Sequence, residues 1–139
     1  MKRHPITQVM TPDPVTIQLD QPISEAYLIL TNAPFHHLPV LDGDDAVGLV
    51  STTDILKLAY DVDSADDEAL MSLLDYQFNI EDAMTTPVVT LPTSATIKEA
   101  ALALRDGTLH SVVVTDDDKK LAGIVTTTNL VEYLLNNLD

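Results

Sequence analysis

Gly48-Leu49-Val50-Ser51-Thr52-Thr53-Asp54 decides how this chain is read, because Gly123-Ile124-Val125-Thr126-Thr127-Thr128-Asn129 repeats it near the C-terminus. Each copy runs from a short β-branched apolar segment through a hydroxyl-rich turn into an apolar periodic segment. These are Ile55-Leu56-x-Leu58-Ala59 in one copy and Leu130-Val131-x-x-Leu134-Leu135 in the other. That order predicts strand, turn and helix start. A helix start presents unpaired backbone N–H groups and the positive end of its dipole, which suit an anionic group. Ser51 or Thr126 sets a hydroxyl beside those amides, and Asp54 or Asn129 projects an oxygen suited to a diol from the first turn. Hydroxyl plus carboxylate across one turn fits a ribose phosphate. The same Ser-x-x-Asp spacing is also a capping box, which starts helices with no ligand present.

Outward from this motif the whole chain is duplicated. Ile6-Thr7-Gln8-Val9-Met10-Thr11 answers Ile80-Glu81-Asp82-Ala83-Met84-Thr85, and Ile23-Ser24-Glu25-Ala26 answers Ile97-Lys98-Glu99-Ala100. The offset is 74 from Met10 to Met84 and 75 from Gly48 to Gly123, so one extra residue falls between Asp116 and Lys120, at a hairpin tip. Each half predicts strand, helix, strand, strand, helix. The first strand covers Val15–Leu19 or Val89–Leu91, and the first helix Pro22–Asn32 or Thr96–Arg105. Pro22 suits a first helical turn, and Thr96-x-x-Glu99 spells a capping box. Ala26, Leu28, Ile29 and Leu30 read as the apolar face of one helix, and Ala100, Leu102, Ala103 and Leu104 as that of its counterpart. Asp42-Gly43-Asp44-Asp45 and Asp116-Asp117-Asp118-Lys119 are hairpin turns.

The expected division is a first repeat over 6–61, an acidic linker and connecting helix over 62–79, and a second repeat over 80–137. Ser64 or Asp66 would cap the connecting helix, whose apolar positions are Ala69, Leu70, Leu73, Leu74 and Phe78. A half of about 60 residues buries too little surface to stand alone, so the halves are expected to pack about a pseudo-twofold axis with two related clefts. The fold class is α/β, two strand-helix-strand-strand-helix repeats forming one module.

Bulk composition narrows the function. At 139 residues and 45% hydrophobic, the chain is one domain-sized unit with a real core. No apolar run approaches the roughly 20 residues of a membrane span, and Met1-Lys2-Arg3-His4-Pro5 lacks a signal-peptide apolar stretch. The expected setting is cytoplasmic. With no cysteine there is no disulfide, thiol nucleophile or thiolate metal site. A formal charge of −15 opposes binding to nucleic acid or anionic membranes.

The chain resembles a tandem pair of cystathionine-beta-synthase (CBS) domains, the Bateman module, over about residues 6–137. The resemblance is carried by Val9-Met10-Thr11-Pro12 and Ala83-Met84-Thr85, by Phe35-His36-His37-Leu38-Pro39-Val40, and by the Gly-x-x-[Ser/Thr]-x-x-[Asp/Asn] endings. It implies a regulatory module that senses AMP, ADP, ATP or S-adenosylmethionine and often pairs into flat dimers. It further implies that Asp54 and Asn129 hold ribose, while Ser51 and Thr126 approach phosphate with Thr53 and Thr128 nearby. It sets the purine against His37 and Pro39 for the Thr126/Asn129 cleft, and against Ser111 and Val113 for the Ser51/Asp54 cleft. The hydroxyl opening the first helix in many members matches Thr96, where the first repeat has Pro22. Two departures from the family pattern stand out: Asn129 replaces the carboxylate, and His37 or Ser111 stands where phosphate-binding members often carry Arg.

His36, His37 and His110 are not expected to form a metal site, since adjacent residues on a strand point to opposite faces. No Gly-x-Ser-x-Gly elbow, Gly-Lys-Ser/Thr phosphate loop or His-Glu-x-x-His is present. The expected function is therefore a non-catalytic sensor of an adenosine-type ligand, requiring no cofactor, that forms homodimers and signals to a partner protein. The alternatives are a structural or dimerisation module with empty clefts and, less favoured, a nucleotide-hydrolysing enzyme. The apolar stripe Leu130, Val131, Leu134, Leu135 and Leu138 serves either core or partner.

Overall fold

The computed structural model describes residues 4–62 and 66–138. In chain order they begin with a 3-10 turn (Ile6–Gln8), β1 (Thr11–Pro12), β2 (Ile17–Gln18), α1 (Ile23–Asn32), β3 (His37–Asp42), β4 (Asp45–Ser51) and α2 (Thr52–Tyr60). Then come α3 (Asp67–Gln77), α4 (Ile80–Ala83), β5 (Thr90–Pro92), α5 (Ile97–Leu104), β6 (Ser111–Thr115), β7 (Leu121–Thr126) and α6 (Thr127–Asn137). Both halves thus show the expected strand, helix, strand, strand, helix order; β2 is shorter than its apolar pattern suggests, and β5 is shifted by one residue.

The chain forms two compact units. One is continuous, Val15–Pro87; the other is split, joining the residues up to Pro14 with those from Val88 onward. In the continuous unit the strand order is β2-β3-β4, with β2 parallel and β4 antiparallel to β3. One face of this sheet supplies Leu38, Val40 and Val50 to a core completed by Ile23, Ala26 and Leu30 of α1, Ile55 of α2, and Leu70 and Leu74 of α3. In the split unit the order is β1-β7-β6-β5, and Val112, Val114 and Val125 pack with Ile97, Ala100 and Leu104 of α5 and with Ile6 and Val9. Each fully buried aliphatic side chain contributes about 1.5–3 kcal/mol.

Leu28 and Leu102 correct the expected helix faces, being 44% and 50% exposed. Each lies two residues from the buried positions on either side, Ala26 and Leu30 or Ala100 and Leu104. Two residues turn an α-helix by about 200°, onto its opposite side.

The hairpins account for the one-residue change in offset. Between Leu41 and its partner Ala46 lie four residues; between Thr115 and its partner Leu121 lie five. Both hairpins carry a bulge at the same place, between Val40 and Leu41 and between Val114 and Thr115. The extra residue is confined to the tip, where Asp116 N–H donates to Lys120 O at 2.8 Å and Lys119 takes a positive φ of 65°.

Helix caps follow local chemistry. Thr96 Oγ1 accepts from Glu99 N–H at 3.2 Å, the first half of the expected box. Pro22 sits at the N-cap of α1 rather than inside its first turn, and makes no side-chain cap. Asp66 caps α3 by accepting from Ala69 N–H at 2.8 Å; Ser64, the other expected cap, lies outside the described residues.

Candidate functional site

Each closing motif leaves its strand and enters its helix through a complete capping box. At α2, Ser51 Oγ accepts from Asp54 N–H and Asp54 Oδ2 accepts from Ser51 N–H, both at 3.1 Å. At α6, Thr126 Oγ1 accepts from Asn129 N–H at 3.2 Å and Asn129 Oδ1 accepts from Thr126 N–H at 2.8 Å. The residue just before β3 or β6 supports each turn: Thr52 N–H donates to His36 O at 2.9 Å, and Thr127 N–H to His110 O at 3.3 Å. These two histidines therefore act through their backbone, which their side-chain chemistry could not announce.

The boxes differ in one proton. The Thr126 hydroxyl also donates to Asn129 Oδ1 at 3.0 Å, so this oxygen receives two bonds. In the α2 box, Ser51 Oγ serves as acceptor and one carboxylate oxygen does the accepting in return. A carboxylate has two oxygens with several lone-pair sites, so Asp54 retains accepting capacity that an amide oxygen already holding two bonds does not. Electrostatics diverge the same way. Asp54 places a negative charge in the first turn of α2, whereas the first turn of α6 carries none and leaves its dipole uncompensated.

The candidate residues on strands share one sheet face within each unit. In β3 and β4, His37 lies opposite Ser51 and Pro39 opposite Leu49. In β6 and β7, Ser111 lies opposite Thr126 and Val113 opposite Ile124. Directly opposed residues of an antiparallel pair point to the same side. This is the face away from each unit's own core, since Leu38, Val40, Val112 and Val114 alternate with these positions and lie in the core clusters. The continuous unit holds His37, Pro39 and Ser51 on that face, with Thr53 and Asp54 in the following helix turn; the split unit holds Ser111, Val113 and Thr126 there, with Thr128 and Asn129 in the following turn and Thr96 at the start of α5. The pairings implied by the family resemblance draw from both units.

Exposure separates the candidates further. Thr53 and Thr128 are exposed, while His37, Ser51, Asp54, Thr96, Thr126 and Asn129 are half-buried. Pro39, Ser111 and Val113 are buried, Ser111 to 1%. A recess of about 480 Å³ begins at Thr53 and runs down α2 over Leu56, Lys57, Tyr60 and Asp61. Among the described residues no three His, Asp or Glu side chains gather as a metal site would require. No helix among them is long and apolar enough to cross a membrane.

Sequence reasoning missed a glycine contact at the root of each motif. A Cβ on Gly48 would lie 2.7 Å from Met84 Sδ, and one on Gly123 would lie 2.7 Å from Met10 Sδ. Their signal was present but unread: each glycine sits in an apolar strand with no turn chemistry beside it, a pattern that marks close approach of another segment.

The family model for the CBS domain matches residues 6–61 and 80–136. The chain is 28% identical to homoserine O-acetyltransferase of Methanohalobium evestigatum over 90% of its own length, but spans only 23% of that protein. A CBS domain pair solved in complex with 5′-methylthioadenosine and S-adenosyl-L-methionine has a TM-score of 0.78 at 23% identity, covering 99% of this chain and 100% of that one. CBSX2 in complex with AMP has a TM-score of 0.76 at 26% identity, covering 96% and 97%.

Proposed function

This chain belongs to the CBS domain family as a tandem pair, and from that premise we propose that it is a non-catalytic sensor of adenosine-containing ligands. The observation that carries the reading is the pair of helix starts, each holding a hydroxyl and an amide or carboxylate oxygen in fixed geometry beside a strand residue. Asp54 grips the ribose hydroxyls, and Ser51 and Thr53 approach phosphate. Thr126, Thr128 and Asn129 do the same in neutral form. Thr96 contributes a further hydroxyl. His37, Pro39, Ser111 and Val113 supply purine contacts. AMP bound to CBSX2, at 26% identity, supports this ligand class. S-adenosylmethionine, ADP and ATP belong to the same class by their shared nucleoside.

The signal passes to a protein partner, and the chain pairs as a homodimer. The support is the exposed face of α6 and its C-cap, where Val131, Leu134, Leu135 and the capping Leu138 are 51–68% exposed. Leu56 and Tyr60 hold the equivalent places on α2, at 49% and 90%.

A second reading has its own support: Ser51 with Asp54 and Thr126 with Asn129 are engaged in complete capping boxes, the use a purely structural module would make of them. Thermal melting with adenosine, AMP, ATP and S-adenosylmethionine separates the two. A ligand at 100 times its Kd stabilises the fold by about 2.7 kcal/mol, several degrees at this size. No shift with any of the four rejects the sensor. Release of phosphate or adenine during the same incubation rejects the non-catalytic reading.

A further inference from the structure

Each repeat opens with Met-Thr, and each opening segment packs in the compact unit that holds the closing motif of the other repeat. Met10 and Thr11 lie with Gly123, and Met84 and Thr85 with Gly48. The anchoring is substantial. Ile6 and Val9 are buried in the split core beside Met10, and Ile80 and Ala83 in the continuous core beside Met84. A capping box at Asn79 and Asp82 fixes the start of α4.

The contact bears directly on the helix starts. β4 is held on one edge by β3, down to the His37–Ser51 pair. On its other edge Thr85 N–H donates to Leu49 O at 2.7 Å and Leu49 N–H donates to Thr85 O at 3.3 Å. Leu49 is two residues from Ser51. β7 is held likewise: Thr11 pairs with Ile124, Pro12 with Gly123, and Asp13 N–H donates to Ala122 O at 3.2 Å. Ile124 is two residues from Thr126. A strand gripped on both edges cannot slip, and a slip of one residue would turn Ser51 or Thr126 to the opposite face. The glycines allow this grip, because any side chain there meets the methionine and the threonine carbonyl.

We propose that Met84 with Thr85 positions the Ser51/Asp54 helix start, and that Met10 with Thr11 positions the Thr126/Asn129 helix start. Each candidate site is then set by the opening segment of the other repeat. As far as it concerns ligand, this rests on the sensor reading above. The two seats differ in stringency. A Cβ at Gly123 meets a backbone oxygen, that of Thr11, at 2.7 Å; at Gly48 the corresponding Thr85 oxygen is 3.2 Å away and the close atom is a flexible side-chain sulfur. Gly123→Ala therefore disturbs its motif more than Gly48→Ala.

The test is amide mapping by NMR on the full chain, without ligand and then titrated with AMP. Met84→Ala is expected to move the amides of Ser51, Thr53 and Asp54 and to weaken AMP at that helix start about tenfold. The amides of Thr126, Thr128 and Asn129 should stay at their parental positions. Met10→Ala gives the converse pattern, and Met84→Leu, which keeps the volume, restores the parental one. If Met84→Ala does not fold, Gly48→Ala is read in its place by the same pattern. The proposal is overturned if each variant moves the motif of its own repeat, or both motifs equally. Should the parent bind no AMP, the sensor reading fails, and the ligand-free amide pattern alone decides the positioning.

Discussion

Asp75 of α3 reaches the start of α1 and holds Ser24 twice, accepting from its backbone N–H at 2.8 Å and from its hydroxyl at 2.6 Å. Pro22 offers no capping oxygen, so a carboxylate from another helix supplies it. Asp75 stands near the end of α3, where the helix dipole disfavours an anion, yet at the start of α1, where it favours one. Asp75→Ala should cost about 1 kcal/mol, the usual scale for losing a cap. Urea unfolding of Ser24→Ala, Asp75→Ala and the double variant measures the coupling. Ser24→Ala keeps the backbone donor, so fully additive losses would show that the hydroxyl bond contributes nothing.

Asp54 should dominate the tighter ligand event. Hydrogen bonds to a charged group contribute about 1.5–3 kcal/mol each, and of the two closing helices α2 carries a charge in its first turn while α6 does not. Asp54→Ala is expected to weaken binding at least tenfold, about 1.4 kcal/mol, while Asn129→Ala leaves that event nearly unchanged. Calorimetry with AMP on both variants decides. An unaltered affinity in folded Asp54→Ala would reduce Asp54 to a helix cap.

The α6 face should carry self-association. Leu135 is 68% exposed in a helix with no buried residue, so Leu135→Glu should leave the fold intact while opposing burial of that face. Light scattering at micromolar concentration is expected to give a dimer for the parent and a 15.1 kDa particle for the variant. A monomeric parent ends the homodimer proposal.

Lys119 has a φ of 65° in the β6–β7 turn, a conformation that costs an L-residue roughly 1–2 kcal/mol. Lys119→Gly should relieve part of that, and the added freedom of glycine in the unfolded chain offsets some of the gain. A net stabilisation of about 0.5–1 kcal/mol is expected, seen as a higher urea midpoint. A lower midpoint would place the side chain's contacts above the backbone strain.

Duplication made the element order legible, because each half supplied a second copy against which to check the first. The hairpin tip was legible for the same reason: one inserted residue shifts the register of everything after it. Leu28 and Leu102 misled because a run of apolar residues such as Tyr27-Leu28-Ile29-Leu30 does not say which of its members face inward. Ser24 and Asp75 are 51 residues apart and belong to no motif, so only the packing of α3 on α1 could join them. The seats of Met10 and Met84 escaped notice because their contacts are made largely with backbone, which leaves little trace in side-chain pattern. Half of the site reading was visible as spacing; its electrostatic asymmetry came from Asp54 and Asn129; the direction of one hydroxyl proton needed coordinates.

The split unit also fixes an order of events during synthesis. The ribosome releases all of Val15–Pro87 as one uninterrupted piece, which can close its core as soon as Met84 emerges to sit on Gly48. Met10 is made early, but its glycine lies roughly 110 residues later, a wait of about 6–20 s at ordinary elongation rates. Through that interval the opening segment, with Ile6 and Val9, has no core of its own to enter. It is then open, like the emerging residues from Val88 onward, to chaperones, proteases or the waiting segment of a neighbouring copy.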